Sequence, residues 1–115
     1  MKDNVIKDKT YGFALQVIKT YKKLASEQKE FVLSKQLLRS ATSIGANIEE
    51  ADGSISKREF ISKVQISYKE AKETLYWLRL LHDSAYLVTS DFEVLSAQCD
   101  EIIRILSAIL KTSKL

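Results

Sequence analysis

Apolar residues recur along most of the chain at steps of three and four, the spacing that gathers side chains on one side of an α-helix. The first such stretch covers about residues 4–25 and sets an apolar stripe against a lysine-rich side. The stripe consists of Ile6, Phe13, Ala14, Val17, Tyr21 and Leu24. This pattern predicts an amphipathic helix whose weakest position is Gly12, since glycine costs about 1 kcal/mol relative to alanine inside a helix.

A second helix is predicted over about residues 30–52. Its apolar stripe consists of Leu37, Ala41, Ile44, Ile48, Ala51 and Ile55. Residues 40–46 are mostly small or hydroxyl-bearing, and such residues are poor helix formers on their own. Their presence indicates either close approach by a neighbouring helix or a kink near Gly45.

A third helix is predicted over about residues 57–82, after a tight turn. Gly53 is expected to end the preceding helix in the left-handed conformation, and Ser56 with Glu59 matches the capping box that begins a new one. The core stripe of this third helix consists of Val64, Tyr68, Ala71, Leu75 and Leu78.

The third predicted helix carries more large apolar residues on its opposite side. They are Ile66, Tyr76, Trp77 and Leu80. One bundle cannot bury both sides of the same helix. We therefore interpret these four residues as an oligomer interface, at which copies of the chain meet.

A fourth helix is predicted over about residues 90–111, opened by a second capping box formed by Ser90 and Glu93 and followed by a short polar tail. Its stripe consists of Val88, Phe92, Leu95, Cys99, Ile102, Leu106 and Ile109. Four amphipathic helices with short connections predict an all-α, antiparallel up-down-up-down four-helix bundle, with residues 1–115 forming one domain.

Composition supports this fold and restricts the cellular setting. The 115 residues are 45% hydrophobic and include no proline, the strongest helix breaker. The single cysteine excludes an intrachain disulfide and indicates a reducing compartment. The first residues do not form a signal peptide, and no apolar run approaches the ~18 residues of a membrane span. We therefore expect a cytoplasmic protein with no membrane contact.

Candidates for catalysis and metal binding are few. A di-iron bundle needs several inward Glu and His ligands, and the chain has one His. That residue, His82, is a candidate for phosphotransfer, but the charge of the adjacent Asp83 disfavours a phosphoryl group there. Cys99 lies in an apolar stripe, which is typical of a buried structural thiol. We predict no catalytic residue, no cofactor and no metal.

The charged residues indicate binding partners rather than catalysis. The acids Glu49, Glu50 and Asp52 are interpreted first as a solvated polar face, and their position at the unfavourable end of the second helix dipole hints at a basic partner. The net charge is +3, and basic residues of the two central helices are candidates for nucleic-acid binding. They are Lys35, Arg39, Lys57, Arg58, Lys63 and Lys69. The alternative interpretation is an ordinary solvated surface.

The stretch LSKQLLRSATSIGANIEEADGSISKREFISKVQISYKEAKETLYWLRLL resembles the four-helix-bundle family encoded by open reading frames in intervening sequences of bacterial 23S ribosomal RNA genes. The likeness is sharpest over Ser43–Ala51, Phe60 and Glu70–Leu78. It implies a left-handed bundle that assembles as a homopentamer, in a family without established enzymatic activity. The fold is also similar to that of the accessory variability protein of diversity-generating retroelements, a basic pentamer that binds nucleic acid and a reverse transcriptase.

The sequence thus predicts a non-enzymatic, oligomeric scaffold or adaptor that contacts structured RNA or DNA through basic helix surfaces. A protein-interaction module without nucleic-acid affinity is the alternative. A phosphotransfer domain that uses His82 is the third and most distant hypothesis.

Overall fold

Four α-helices make up most of the computed structural model, which describes residues 5–113. They are α1 (Val5–Glu27), α2 (Leu33–Asp52), α3 (Lys57–Asp83) and α4 (Thr89–Thr112). Helix α1 runs two residues past its predicted end, and α2 begins three residues after its predicted start. The predicted helix start at residue 4 and the last two residues of the predicted polar tail lie outside the described residues.

The helices are arranged in chain order around one core. Each packs against the next, and α4 returns to pack against α1. Lys7 at the start of α1 lies 3.0 Å from Asp52 at the end of α2, so these two helices are antiparallel. Lys63 near the start of α3 lies 2.9 Å from Glu50 at the end of α2. The predicted all-α four-helix bundle is confirmed.

The core is built from the predicted stripes, with two exceptions at their ends. Residues such as Phe13, Ile44 and Leu106 are almost fully inaccessible. Ile55, by contrast, is 95% exposed because it lies in the turn after α2 has ended. Val88 is 58% exposed because it precedes the first turn of α4. The prediction that these two residues belong to the core stripes was therefore wrong.

The small residues of α2 allow close approach by the helices on both sides. A Cβ atom at Gly45 would lie 3.3 Å from Thr10 Oγ1 of α1. On the other side, the buried Ser67 hydroxyl of α3 donates to the Ile44 carbonyl across 2.9 Å. Helix α2 runs unbroken through Gly45. Close approach is thus confirmed.

The predicted caps were partly right. Ser56 Oγ accepts a hydrogen bond from the Glu59 amide at 3.0 Å, as a capping box requires. Gly53 has a φ of −90°, so the prediction of a left-handed cap was wrong. The box of Ser90 with Glu93 was also wrong, since α4 begins at Thr89 and Ser90 already lies within its first turn.

A cap that the sequence analysis missed holds the start of α2. The buried Glu30 carboxylate accepts hydrogen bonds from the backbone amides of Val32, Leu33 and Ser34, the shortest being 2.7 Å. Burial acts to raise the pKa of Glu30, but these backbone hydrogen bonds outweigh it and lower the pKa below the usual value of 4.5. Glu30 therefore serves as the side-chain cap that Val32, at the N-cap position, does not supply.

No helix within residues 5–113 combines the length and the apolar character needed to cross a membrane.

Candidate nucleic-acid and oligomer surfaces

The six basic residues proposed for nucleic-acid contact do not form one patch. Lys35 lies in the first turn of α2, whereas Lys57 and Arg58 begin α3. Because α2 and α3 are antiparallel, these positions are at opposite ends of the bundle, whose longest dimension is 45 Å. A single short ligand cannot contact all six residues of one chain.

Two of the six residues already have acidic partners within the chain. The Arg39 guanidinium bonds to the carboxylates of Glu70 and Glu73 on α3, the Glu70 contact being 3.1 Å. Lys63 pairs with Glu50, and this hydrogen bond and charge raise the pKa of Lys63. These pairings leave Arg39 and Lys63 poorly suited to neutralising phosphates.

The exposed side of α3 carries two basic residues that the sequence analysis omitted. Lys72 and Arg79 are exposed, as are Arg58 and Lys69. In chain order these four residues are separated by eleven, three and seven positions. At 100° per residue they therefore lie on one side of α3, within an arc of about 80°. We call Arg58, Lys69, Lys72 and Arg79 the basic strip. The same helical periodicity, counted over basic rather than apolar residues, would have revealed the basic strip from the sequence.

The basic strip is unpaired within the described residues, and about 16 Å of α3 separates Arg58 from the other three members. It extends about 32 Å along α3, given a rise of about 1.5 Å per residue. Within residues 5–113, no carboxylate lies within ion-pair distance of its four side chains. Tyr76, which is 52% exposed, lies on the same side, between Lys72 and Arg79 in the sequence. The strip therefore combines available positive charge with an accessible aromatic ring.

The four residues predicted for the oligomer interface differ in exposure. Ile66 is 41% and Tyr76 52% exposed, whereas Trp77 and Leu80 are half-buried. The Trp77 ring packs against the core, and its indole N–H donates to Glu73 at 2.8 Å. It also meets the Tyr76 ring edge-on, with centroids 5.2 Å apart. The prediction that Trp77 points fully away from the core was therefore only partly right.

Ile66, Trp77 and Leu80 lie beside the basic strip on the α2 side of the helix. We call these three residues together with Tyr76 the apolar strip. Helix α3 thus presents two parallel strips, and Tyr76 of the apolar strip lies within the arc of the basic strip.

The acids at the end of α2 have their basic partners within the chain. Lys7 Nζ lies 3.0 Å from Asp52 and 3.6 Å from Glu49. The hydrogen bond and charge of Asp52 raise the pKa of Lys7. With Glu50 paired to Lys63, these acids join three helices at one end of the bundle. They are structural groups and need no external cation.

The ring of His82 contacts three neighbouring side chains. It stacks on Phe92 with centroids 4.3 Å apart, Nε2 lies 3.1 Å from Thr89 Oγ1, and Nδ1 lies 3.3 Å from Asp83. Phosphorylation of either nitrogen would break one of these contacts. The arrangement is that of a structural histidine joining α3 to α4.

Cys99 is fully buried, and its thiol donates to the Ala71 carbonyl at 3.3 Å. Burial, with the nearby Asp100, raises the pKa of Cys99 to about 12. A thiol held in its neutral form is a weak nucleophile. The prediction of a core thiol is confirmed. In the described part of the chain, no three His, Cys, Asp or Glu residues are grouped closely enough to hold a metal ion.

The structure thus defines an all-α bundle with distinctive surfaces on α3. The family model for the 23S rRNA-intervening sequence protein matches residues 2–108. The chain belongs to this family. No curated protein sequence matches it.

A solved structure agrees with this assignment. The chain is similar to a crystal structure of a protein with unknown function from the S23 ribosomal protein family from Bacteroides thetaiotaomicron VPI-5482. The two are 48% identical, with a TM-score of 0.92, and the match covers 93% of this chain and 99% of that one.

Proposed function

We propose that the protein is a non-enzymatic, oligomeric scaffold that binds the phosphate backbone of structured RNA or DNA through the basic strip of α3. The observation that carries this proposal is the row of four exposed, unpaired basic side chains along one side of one helix. Affinity for a nucleic-acid backbone increases with the number of phosphates that Lys and Arg neutralise.

The dimensions of the strip fit this role. At about 3.4 Å per base pair, its length of about 32 Å corresponds to roughly nine base pairs of a duplex. An assembly of several copies would multiply the number of phosphate contacts. The resemblance noted for the sequence suggests five copies in that assembly.

The first prediction tests the basic strip. The triple variant Lys69→Gln, Lys72→Gln and Arg79→Gln should lose most of its affinity for a fluorescently labelled RNA hairpin in an anisotropy titration. Its salt dependence should also weaken, because each lost phosphate contact removes about 0.7–0.9 from the slope of log affinity against log salt concentration.

The matched control is Lys19→Gln, Lys22→Gln and Lys23→Gln on α1, which removes the same charge from three exposed lysines on another surface. This control should bind almost as the unchanged protein does. Equal losses in the two variants would show that net charge alone governs binding. Absence of binding at low salt would favour the protein-interaction module.

A further inference from the structure

Helices α1 and α2 each contain a nine-residue run without a charged residue. The runs are residues 10–18 and 40–48, the two longest of this kind in a chain of which 29% of residues are charged. Because α1 and α2 are antiparallel and Thr10 lies against Gly45, the two runs lie side by side. We call them together the uncharged belt. The phosphate-binding surface on α3 leaves this belt without a role.

The outward side of the uncharged belt is apolar and partly open. Tyr11 is 68% and Leu15 48% exposed, and Ala46 is also exposed. A groove of about 220 Å³ lies between the two helices here, and small residues such as Ala14 and Gly45 line it. Accessible apolar surface of this extent is typical of an interaction site.

The belt is not covered by the chain's own apolar strip. Among the four described helices, α3 packs against α2 and α4 but not against α1. The apolar strip lies on the exposed side of α3, so it cannot fold back over the belt of the same molecule. The apolar strip of a second copy has no such restriction.

The charges beside the two surfaces match in one orientation. Lys35 and Glu49 on α2 are fourteen residues apart, as are Lys69 and Asp83 on α3, and all four side chains are exposed. Fourteen residues span about 21 Å of helix and leave the two members of each pair within about 40° of each other. When α3 of a second copy lies antiparallel to α2, Lys69 is opposite Glu49 and Asp83 is opposite Lys35. Tyr76 of the second copy then lies over the groove.

The charged residues at one end are available for this pairing. The Glu49 side chain is 65% exposed, and its distance of 3.6 Å from Lys7 Nζ is longer than that of the neighbouring pair between Lys7 and Asp52. Lys69 has no carboxylate within ion-pair distance among residues 5–113. An ion pair between copies therefore requires neither helix to give up a close partner.

We propose that the uncharged belt of one copy binds the apolar strip of a second copy, so that copies join head to tail. This inference rests on the oligomeric scaffold proposed above and specifies its contact. Two different surfaces that bind each other build rings or open chains, whereas contact between two apolar strips would stop at a dimer. Lys69 pairs with the second copy, and Arg58, Lys72 and Arg79 stay free for phosphates.

Two single variants test the contact by light scattering without nucleic acid. Ala46→Arg puts a large charge on the belt, and Tyr76→Arg puts one on the apolar strip, at exposed positions where Arg is a good helix former. Each variant alone should have the mass of a monomer where the unchanged protein assembles. Their equimolar mixture should reach the mass of a dimer, because the intact strip of one binds the intact belt of the other. The mixture is measured up to about 1 mM, since a single contact lacks avidity.

The matched control carries both substitutions in one chain, and it should stay a monomer when mixed with either single variant. Circular dichroism should report the same helix content in all three variants. If Ala46→Arg assembles as the unchanged protein does, the belt takes no part in the contact and the proposal is overturned. A monomer mass for the unchanged protein would overturn it as well.

An exchange of charges gives a second, independent test. Glu49→Lys and Lys69→Glu should each weaken self-association about threefold, the scale of an exposed ion pair, and the double variant should restore it. The two residues cannot meet within one chain, since Glu49 lies beside Lys7 of α1. Failure of both the mixture and the exchange to restore assembly would refute the contact. RNA binding is measured by the separate titration above, so either proposal can fail alone.

Discussion

At the scale of single residues, Glu30 shows how one side chain decides where a helix begins. Its carboxylate accepts three backbone hydrogen bonds at the first turn of α2, and the Ser34 hydroxyl donates to the Glu30 carbonyl at 2.7 Å. The sequence did not reveal this cap because Glu is not a preferred N-cap residue. Its long side chain reaches the free amides from two positions before the N-cap.

The Glu30 cap predicts a pH-dependent stability. A carboxyl whose pKa is lower in the folded state stabilises the fold above its unfolded pKa, and this contribution is lost as the pH falls through the folded value. Glu30→Gln should therefore lower the free energy of unfolding by about 1 kcal/mol at pH 7. The difference should shrink below a pH of about 4.5. Urea unfolding at several pH values measures it.

Glu27→Gln is the control for this prediction, since Glu27 is an exposed carboxylate nearby on α1. Its effect should stay within about 0.5 kcal/mol at every pH. A Glu30 variant whose deficit is the same at pH 3 and pH 7 would contradict a cap that depends on ionisation.

At the scale of helices, the two mid-helix glycines differ in how closely a neighbouring helix packs against them. Gly45 lies against Thr10, whereas Gly12 faces open space. The small residues around Gly45 predicted from sequence either a close neighbour or a kink. The identity of that neighbour depended on which helices pack together, and periodicity does not specify this.

The same substitution at both glycines tests this contrast. Gly45→Val should lower the free energy of unfolding by about 1–3 kcal/mol, because the added methyl groups force Thr10 and α1 away from α2. Gly12→Val should change it by less than about 0.5 kcal/mol. Thermal or denaturant unfolding of the two variants provides the comparison, and similar stability in both would refute close packing at Gly45.

Caps and surfaces were harder to predict than helices. The core stripes of all four helices were recognisable from sequence because burial acts on every turn of a helix. The cap proposed at Ser90 failed, since a capping box is a local pattern that can also occur inside a helix. The charge pairing of Arg39 with Glu70 and Glu73 was missed because it joins two helices and leaves no periodic signal.

At the scale of the whole molecule, the apolar strip predicts self-association. We propose that copies meet through Ile66, Tyr76, Trp77 and Leu80. Ile66→Glu should reduce the mass measured by light scattering at micromolar concentration, since it places a charge in an apolar contact. Ile66 suits this test better than Trp77, because it is exposed and its replacement leaves the core intact.

Ile55→Glu is the matched control, because Ile55 is the most exposed large apolar residue described and lies in a turn away from the strip. It should leave the mass unchanged. A monomer mass for the unchanged protein, or equal dissociation of both variants, would rule out the strip as the interface. Circular dichroism should report the same helix content throughout.

The chain-order packing of the helices also has a kinetic consequence. Helices that pack on their sequence neighbours need only short loops to close, and such topologies fold quickly. Among the four described helices, only α1 and α4 bring the early and late parts of the chain together, and their contact is the least extensive. The bundle should therefore close at this seam last and open there first.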